Sequence, residues 1–411
     1  MKNDDYETGE SNIMTKLLVA DNSALMRRLM CDIINAEPNF HVEAISSDGL
    51  DAYNKIKEQQ VDIVVLDMDT PKLSGYEVLA KLAEDKIKMP VILISSAIKE
   101  DAENTMAALS HGAVDVVVKP LRSTSESREE FKGKLMHSIK AVSKSLVKPG
   151  ASQPVDNTTA SSKLADMDNL LHVQYKPVEQ PELSKSAADA LAKATKEAYA
   201  RRQQSNKITK VSHPPQVIPG KRIIALACST GGPQALHKFI PMLPADLPVP
   251  IVLVQHMPEG FTASLASRLD SISSIRVKEA EEGEIFKPGT VYITPGGRHM
   301  EIKEDVGNHA YAHLSDAPPI GNLRPCADVM YTSLAETSFE EIICVVLTGM
   351  GADGTEGIDY LSGYRNIYCI SQSADTCVVY GMPKAVEQRG LSNEVVPLTE
   401  IANSITKKLG V

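Results

Sequence analysis

Short apolar runs separated by amphipathic stretches recur in two parts of this chain, and that alternation restricts the fold more than any other feature. Between Lys16 and Pro120 the runs Lys16–Ala20, Ile63–Leu66, Val91–Ile94 and Val114–Val118 read as strands, with a weaker one at His41–Ile45. Most are apolar throughout rather than alternating with polar residues, as expected of strands covered on both faces. A parallel sheet flanked by helices follows. After Pro219 the pattern resumes: Ile223–Ala227, Pro250–Val254 and Ile342–Leu347 read as buried strands, and Pro233–Leu243, Phe261–Leu269 and Asp328–Glu336 as helices. The stretch Ile275–Leu314 differs, with short β-rich pieces at Thr290–Thr294 and Met300–Lys303 around Pro288-Gly289 and Pro295-Gly296-Gly297 turns.

From Ser138 to about Gln216 the composition shifts to Ser, Lys, Gln, Pro and Ala, too poor in large apolar residues to build a core. The expected organisation is therefore a domain over 14–137, a flexible linker over 138–217 and a second domain over 218–411. Within the linker, Ser186–Arg202 is Ala-rich and reads as an exposed or transient helix. A length of 411 residues suits two domains. The net charge of −10 argues against a generic nucleic-acid surface. No run reaches the roughly 18 apolar residues of a membrane span, so a cytoplasmic protein without membrane insertion is expected. The six cysteines are widely spaced and mostly in apolar runs, which reads as buried free thiols.

In an open parallel sheet, ligands bind beyond the carboxyl ends of the strands. In the first domain those positions hold Asp21, Asp67, Ser95 and Lys119. Two carboxylates suit a hard Mg²⁺ ion, while a hydroxyl and an ammonium suit the oxygens of a phosphoryl group carried on Asp67. Taken singly, Asp21 is also read as a helix cap, Asp67 as a turn residue and Lys119 as a surface charge.

In the second domain the strand Ile223–Ala227 runs through Cys228 into Ser229-Thr230-Gly231-Gly232, a glycine-rich turn opening a helix. Backbone N–H groups at such a helix start stabilise an anion or a developing oxyanion; a simple helix cap is the alternative for Ser229. His256 follows the strand Pro250–Val254, and Asp353 lies in the Gly-rich segment after Ile342–Leu347. If these strands are neighbours, a nucleophile, a base and an orienting carboxylate meet at one rim, the set that hydrolysis needs. The chain order Ser, His, Asp and the absence of GxSxG disfavour a standard α/β-hydrolase. Cys228, next to Ser229, is expected to point to the opposite face and to be inert.

The segments LLVADNSALMRRLM, VVLDMDTPKLSGYEVL, PVILISSA and GAVDVVVKP resemble the response-regulator receiver domain, and ACSTGGPQAL, QHMPEGFTASLASRLD, GTVYITPGGRHM, LTGMGADGTEG and SQSADTCVVYGMPKAV resemble the catalytic domain of chemotaxis-type protein-glutamate methylesterases. The resemblance implies an α/β protein: a doubly wound, flavodoxin-like receiver, a long linker, and a methylesterase domain with a mostly parallel sheet. It further implies that a chemotaxis-type histidine kinase phosphorylates Asp67. Mg²⁺ would be held by Asp21, Asp67 and the carbonyl of Asp69, and the phosphoryl group sensed by Ser95 and Lys119. In the second domain it implies Ser229 as nucleophile, His256 as base and Asp353 as its orienting carboxylate, with Thr230 and the backbone around Met350 shaping the oxyanion site and no cofactor for the esterase reaction. The substrates implied are γ-glutamyl methyl esters, with glutamine side chains also deamidated, on the cytoplasmic helices of methyl-accepting chemotaxis receptors. One departure stands out: receivers usually carry a second acid where this chain has Asn22, and an amide oxygen ligates Mg²⁺ without adding charge.

The two halves together suggest a regulated enzyme in which the unphosphorylated receiver packs over the catalytic rim. Two other readings compete. A phosphate-cradling module at Ser229–Gly232 leaves His256 and Asp353 unexplained and lacks the P-loop lysine. A receiver-controlled transcription factor lacks a basic helix-turn-helix.

Overall fold

The structure, a computed structural model, describes residues 14–58, 61–96, 105–109, 111–120, 124–146 and 215–411. All of these fall in one compact unit; a second unit, Lys148–His213, lies outside the described residues. The helix expected at Ser186–Arg202 therefore also lies outside them.

The N-terminal part forms a five-stranded sheet from β1 (Thr15–Ala20), β2 (Phe40–Ser46), β3 (Ile63–Asp67), β4 (Val91–Ser95) and β5 (Ala113–Val118). Their order is β2-β1-β3-β4-β5 and every pairing is parallel. The two-residue period of the strands sorts the core. Leu17, Val19, Ile63, Val65, Ile92 and Ile94 face Met30, Ile33 and Ile34 of the helix Ala24–Asn35 and Phe131, Leu135 and Ile139 of the helix Ser125–Leu146. Leu18, Ala20, Val64 and Leu66 face Ala52, Ile56, Val78 and Leu82 from helices Gly49–Glu58 and Gly75–Glu84. This is the expected doubly wound receiver. Ser23 caps the first helix and Ser74 with Glu77 forms a capping box on the third, so Asp21 is not needed as a cap.

The boundary expected at 137 needs correction. The last receiver helix runs on to Leu146, and Ile139, Ala141 and Val142 are buried in the core. Burying a side chain such as Ile or Val contributes roughly 1.5–3 kcal/mol. Lys144 and Ser145 are exposed while Ser138 is buried among the apolar residues, so the polar composition of the stretch hides that inner stripe.

The C-terminal part carries a seven-stranded sheet: β6 (Ile218–Cys228), β7 (Ile251–Gln255), β8 (Arg276–Glu279), β9 (Thr290–Ile293), β12 (Phe339–Val346), β13 (Asn366–Gln372) and β14 (Glu394–Val396), with β10 (His299–Glu304) and β11 (Ala310–Ser315) as a separate antiparallel pair. The order is β14-β13-β12-β6-β7-β9-β8, again with every pairing parallel. From β6 the chain builds outward through β7 to one side, then returns to place β12 on the other. The carboxyl ends of β6 and β12 thus flank the point where strand order reverses, the place where open α/β sheets bind ligands.

Candidate active site

In the receiver, Asp21 and Asp67 are both fully buried at the ends of β1 and β3. The Lys119 ammonium stands 2.7 Å from Asp67 Oδ2 and 3.2 Å from Asp21 Oδ2. Asp21 Oδ1 accepts from the backbone N–H of Ser23 at 2.7 Å, and Asp67 Oδ1 from that of Asp69 at 3.3 Å. Burial pushes the Asp67 carboxyl up, and the neighbouring Asp21 charge adds to this, while Lys119 opposes both. Burial alone would lower Lys119, yet the two carboxylates outweigh it and hold the ammonium charged. Two buried carboxylates share one cation, a deficit of positive charge that a divalent ion fits. Asn22 Nδ2 donates to the Asp69 carbonyl at 2.9 Å, so the amide stands beside the third expected metal ligand. Ser95 is buried, and its hydroxyl lies 3.1 Å from Thr105 Oγ1 and donates to the Ser96 carbonyl.

In the C-terminal sheet, Cys228 pairs with Gln255 in the β6–β7 register, which puts Ser229 and His256 at adjacent strand ends. The backbone N–H of His256 donates to Cys228 O at 3.2 Å, and that of Ser229 to Thr348 O at 3.0 Å, tying the ends of β6, β7 and β12 together. His256 Nε2 lies 2.7 Å from Asp353 Oδ2. With Nε2 so engaged, Nδ1 is the ring nitrogen left for proton exchange. Among the described residues the Ser229 hydroxyl makes no hydrogen bond of its own; catalytic hydrogen bonds commonly tighten only once substrate is bound. Asp353 also accepts from the backbone N–H of Ala327 at 2.6 Å and of Asp328 at 3.1 Å, and from Cys326 Sγ at 3.1 Å. Burial would raise its carboxyl, but the imidazole and these donors outweigh that and hold it at about 2.

The glycines of this rim have steric reasons. Gly231 has a positive φ of 78°, and a Cβ there would meet Val378 Cβ at 2.5 Å; a Cβ on Gly232 would run into Gln255 Oε1. Gln255 in turn donates to Ser229 O at 3.1 Å and to His256 O at 3.2 Å. Cys228 is fully buried, its Sγ 3.0 Å from Gln255 Oε1, and burial pushes its thiol far above the usual range. It belongs to the same core cluster as Leu226 and Leu253.

The receiver reaches this rim through its edge strand. The β4–β5 register skips at Val114, since Val91 pairs with Ala113 and Ile92 with Asp115, so Val114 is a bulged residue whose carbonyl is spare. That carbonyl accepts from the backbone N–H of Gly231 at 2.9 Å. Next to it, Asp115 Oδ2 accepts from Thr230 Oγ1 at 3.0 Å and from Ser138 Oγ at 2.8 Å. Burial pushes the Asp115 carboxyl up, and these donors offset the rise only in part. A cleft of about 480 Å³ lies alongside, with Lys119, Pro120, Phe131 and Lys134 on the receiver side and Pro258–Phe261, just past His256, on the other.

Thr230, expected to shape an oxyanion site, thus has its hydroxyl turned to the receiver. Met350 is half-buried, its Cα beside Gly381 in the same loop cluster. Three residues were not singled out from the sequence: Asp115, Gln255 and Asp328. Asp115 sits in an apolar strand, where a lone acid is itself a signal. Gln255 directly precedes His256, but nothing in a single sequence marks its amide as a brace.

The fold and site define a receiver domain joined to a methylesterase-type α/β domain. A CheB methylesterase family model matches residues 224–405 and a response regulator receiver domain model matches 17–127. A Geobacillus kaustophilus (strain HTA426) protein named protein-glutamate methylesterase/protein-glutamine glutaminase is 36% identical over 399 residues, spanning 96% of this chain and 99% of the relative. The Bacillus subtilis (strain 168) protein of the same name is 35% identical over 394 residues, spanning 96% and 98%. The crystal structure of the Thermotoga maritima CheB methylesterase catalytic domain is 44% identical, covers 46% of this chain and all of its own, and aligns with a TM-score of 0.45. The chain belongs to the protein-glutamate methylesterase/protein-glutamine glutaminase family.

Proposed function

We propose that this chain is a phosphorylation-regulated esterase that hydrolyses γ-glutamyl methyl esters on methyl-accepting chemotaxis receptors, and deamidates receptor glutamines at the same site. The observation that carries this reading is the 2.7 Å bond between His256 Nε2 and Asp353 Oδ2, beside a strand register that brings Ser229 next to His256.

Ser229 Oγ attacks the ester carbonyl as His256 Nδ1 takes its proton. Asp353, kept ionised at neutral pH by its low pKa, fixes the ring's tautomer and stabilises the imidazolium. The tetrahedral oxyanion forms at the glycine-rich helix start, where Thr230 and the backbone near Met350 supply the surroundings. Methoxide leaves with the proton from His256 as methanol, or ammonia leaves from a glutamine. Water, deprotonated by His256, then cleaves the acyl-Ser229 ester to release the γ-carboxylate.

In the unphosphorylated chain the receiver engages this rim, with Val114 O on the Gly231 N–H and Asp115 on Thr230. Asp21, Asp67 and the Asp69 carbonyl would hold Mg²⁺, which would supply positive charge at the site where a chemotaxis-type histidine kinase phosphorylates Asp67. Lys119 and Ser95 would then answer the phosphoryl group, and Lys119 borders both the acid pocket and the cleft facing Pro258–Phe261. Near-complete switching needs about 5.5 kcal/mol of differential stabilisation. An ordinary hydrogen bond contributes about 0.5–1.5 kcal/mol and one to a charged group about 1.5–3 kcal/mol, so the two contacts supply part of it. Among the described residues no helix is long and apolar enough to cross a membrane. A cytoplasmic location goes with this reading, because the receptor helices it acts on are cytoplasmic.

Incubating methylated receptor membranes with the full chain and mapping receptor peptides by mass spectrometry tests this function. Loss of methyl groups from glutamate side chains is the expected result; receptor peptides unchanged after prolonged incubation with phosphodonor present would contradict it.

A further inference from the structure

The helix Ala327–Ser333 starts at Cys326 and the helix Thr355–Ser362 starts at Gly354, and neither cap residue supplies a side-chain hydrogen bond. Each is capped instead by a carboxylate from the other. Asp353 takes the N–H groups of Ala327 and Asp328, while Asp328 Oδ1 takes those of Gly354 at 2.9 Å and Gly357 at 2.7 Å. The exchange is close-packed: a Cβ on Gly357 would fall 2.8 Å from Asp328 Cα, and one on Gly354, at φ 94°, would press on the Tyr331 ring. Tyr331 is fully buried, and its hydroxyl lies within hydrogen-bonding distance of the Ala225 and Val345 carbonyls of β6 and β12.

We infer that Asp328 is a positioning residue for the esterase reaction, holding the segment Asp353–Gly357 so that the Asp353 carboxylate stays aimed at His256 Nε2. The path runs from the central strands through Tyr331 to Asp328, then through two backbone N–H groups to the residue directly after Asp353, and so to the imidazole. Ordinary helix capping would be satisfied by any acceptor local to each helix. Here each cap comes from the opposite helix, and one of the two capping carboxylates is the imidazole's partner. A misplacement of about 1 Å at a reacting centre can cost about 100-fold in rate, so the clasp acts on turnover. Cys326 Sγ and carboxylate oxygens of Asp328 and Asp353 lie within 4.8 Å of one another. This grouping reads as capping rather than a metal site, because Asp328 Oδ1 and both Asp353 oxygens already accept hydrogen bonds.

The inference rests on Asp353 as the orienting carboxylate, and a double-mutant cycle on the full chain separates the two ideas. Initial rates of methanol release from methylated receptor membranes are measured for wild type, Asp328→Ala, Asp353→Asn and the double variant. Asp328→Ala is expected to lower kcat roughly 30-fold with KM within twofold. In the Asp353→Asn background the same change is expected to cost less than twofold. Asp328→Asn, which keeps the acceptor oxygen, should recover at least tenfold of the alanine loss. An equal fractional loss in both backgrounds, or no recovery with asparagine, would make Asp328 a stability element only and overturn the inference. If Asp353→Asn itself leaves kcat intact, the orienting role of Asp353 fails and the inference with it. Should the alanine variant not fold, Asp328→Ser, with a single shorter acceptor, enters the same cycle.

Discussion

Thr230 Oγ1, one residue from Ser229, donates at 3.0 Å to Asp115 of the receiver, and the next N–H along, that of Gly231, donates to the carbonyl next to Asp115. The receiver therefore occupies polar groups of the turn that follows Ser229. A one-residue bulge in an edge strand accounts for both contacts, because it frees the Val114 carbonyl and turns Asp115 toward the same segment.

Removing the carboxylate should loosen this contact. Asp115→Ala in the full chain is expected to raise methanol release in the absence of phosphodonor by up to about tenfold, since a hydrogen bond contributes about 0.5–1.5 kcal/mol. A basal rate equal to or below wild type would show that the contact does not restrain the enzyme.

Gly349 packs against the side chain of Ser229. A Cβ added there would lie 2.9 Å from Ser229 Cβ and would collide with Met382 Sδ. Gly349→Ala is expected to lower kcat by about 100-fold, on the scale of a 1 Å displacement at a reacting atom, with the circular dichroism spectrum unchanged. Wild-type turnover in this variant would mean that Ser229 tolerates displacement and is not held for attack.

The acid pair beside His256 has a pH signature. Burial, helped by the Asp353 charge, raises the Asp328 carboxyl from 3.8 to about 7. Between these values the folded chain binds more protons there than the unfolded chain, so this group's contribution to stability falls as pH rises through the window. Asp353, lowered to about 2, has the opposite sign, and its contribution is lost only below the ordinary carboxylate range. Asp328→Asn should therefore gain stability relative to wild type as pH rises from about 4 to about 7. Urea midpoints across that range check it; a constant difference would contradict the buried-pair account.

Asn22 bears on metal binding. Asn22→Asp adds a carboxylate beside Asp21 and the Asp69 carbonyl, and is expected to tighten Mg²⁺ binding about tenfold, or about 1.4 kcal/mol. Titration calorimetry of the unphosphorylated chain reads this directly. Unchanged or weaker binding would mean that position 22 does not face the ion.

Much of this was legible in the sequence because strand ends carry the chemistry. The apolar runs located β1, β3, β4, β6, β7 and β12, and the polar residues after them, Asp21, Asp67, Ser229 and His256, fall where a parallel sheet gathers ligands. What stayed hidden depends on contacts between distant segments. The inner stripe of the helix Ser125–Leu146 was masked by its polar composition. The bulge at Val114 leaves no mark in an apolar strand, and the clasp between Asp328 and the Asp353 loop joins segments that no local pattern connects.

The most direct measurement is methanol release from methylated receptor membranes, with and without a small phosphodonor and Mg²⁺, by wild type, Ser229→Ala, Cys228→Ala and Asp67→Asn. Wild type and Cys228→Ala should release methanol and accelerate with phosphodonor. Asp67→Asn should stay at the basal rate, and Ser229→Ala should lose about 10⁴-fold or more in kcat. Retained turnover in Ser229→Ala would remove the hydroxyl at the end of β6 from the chemistry and contradict the account at its centre.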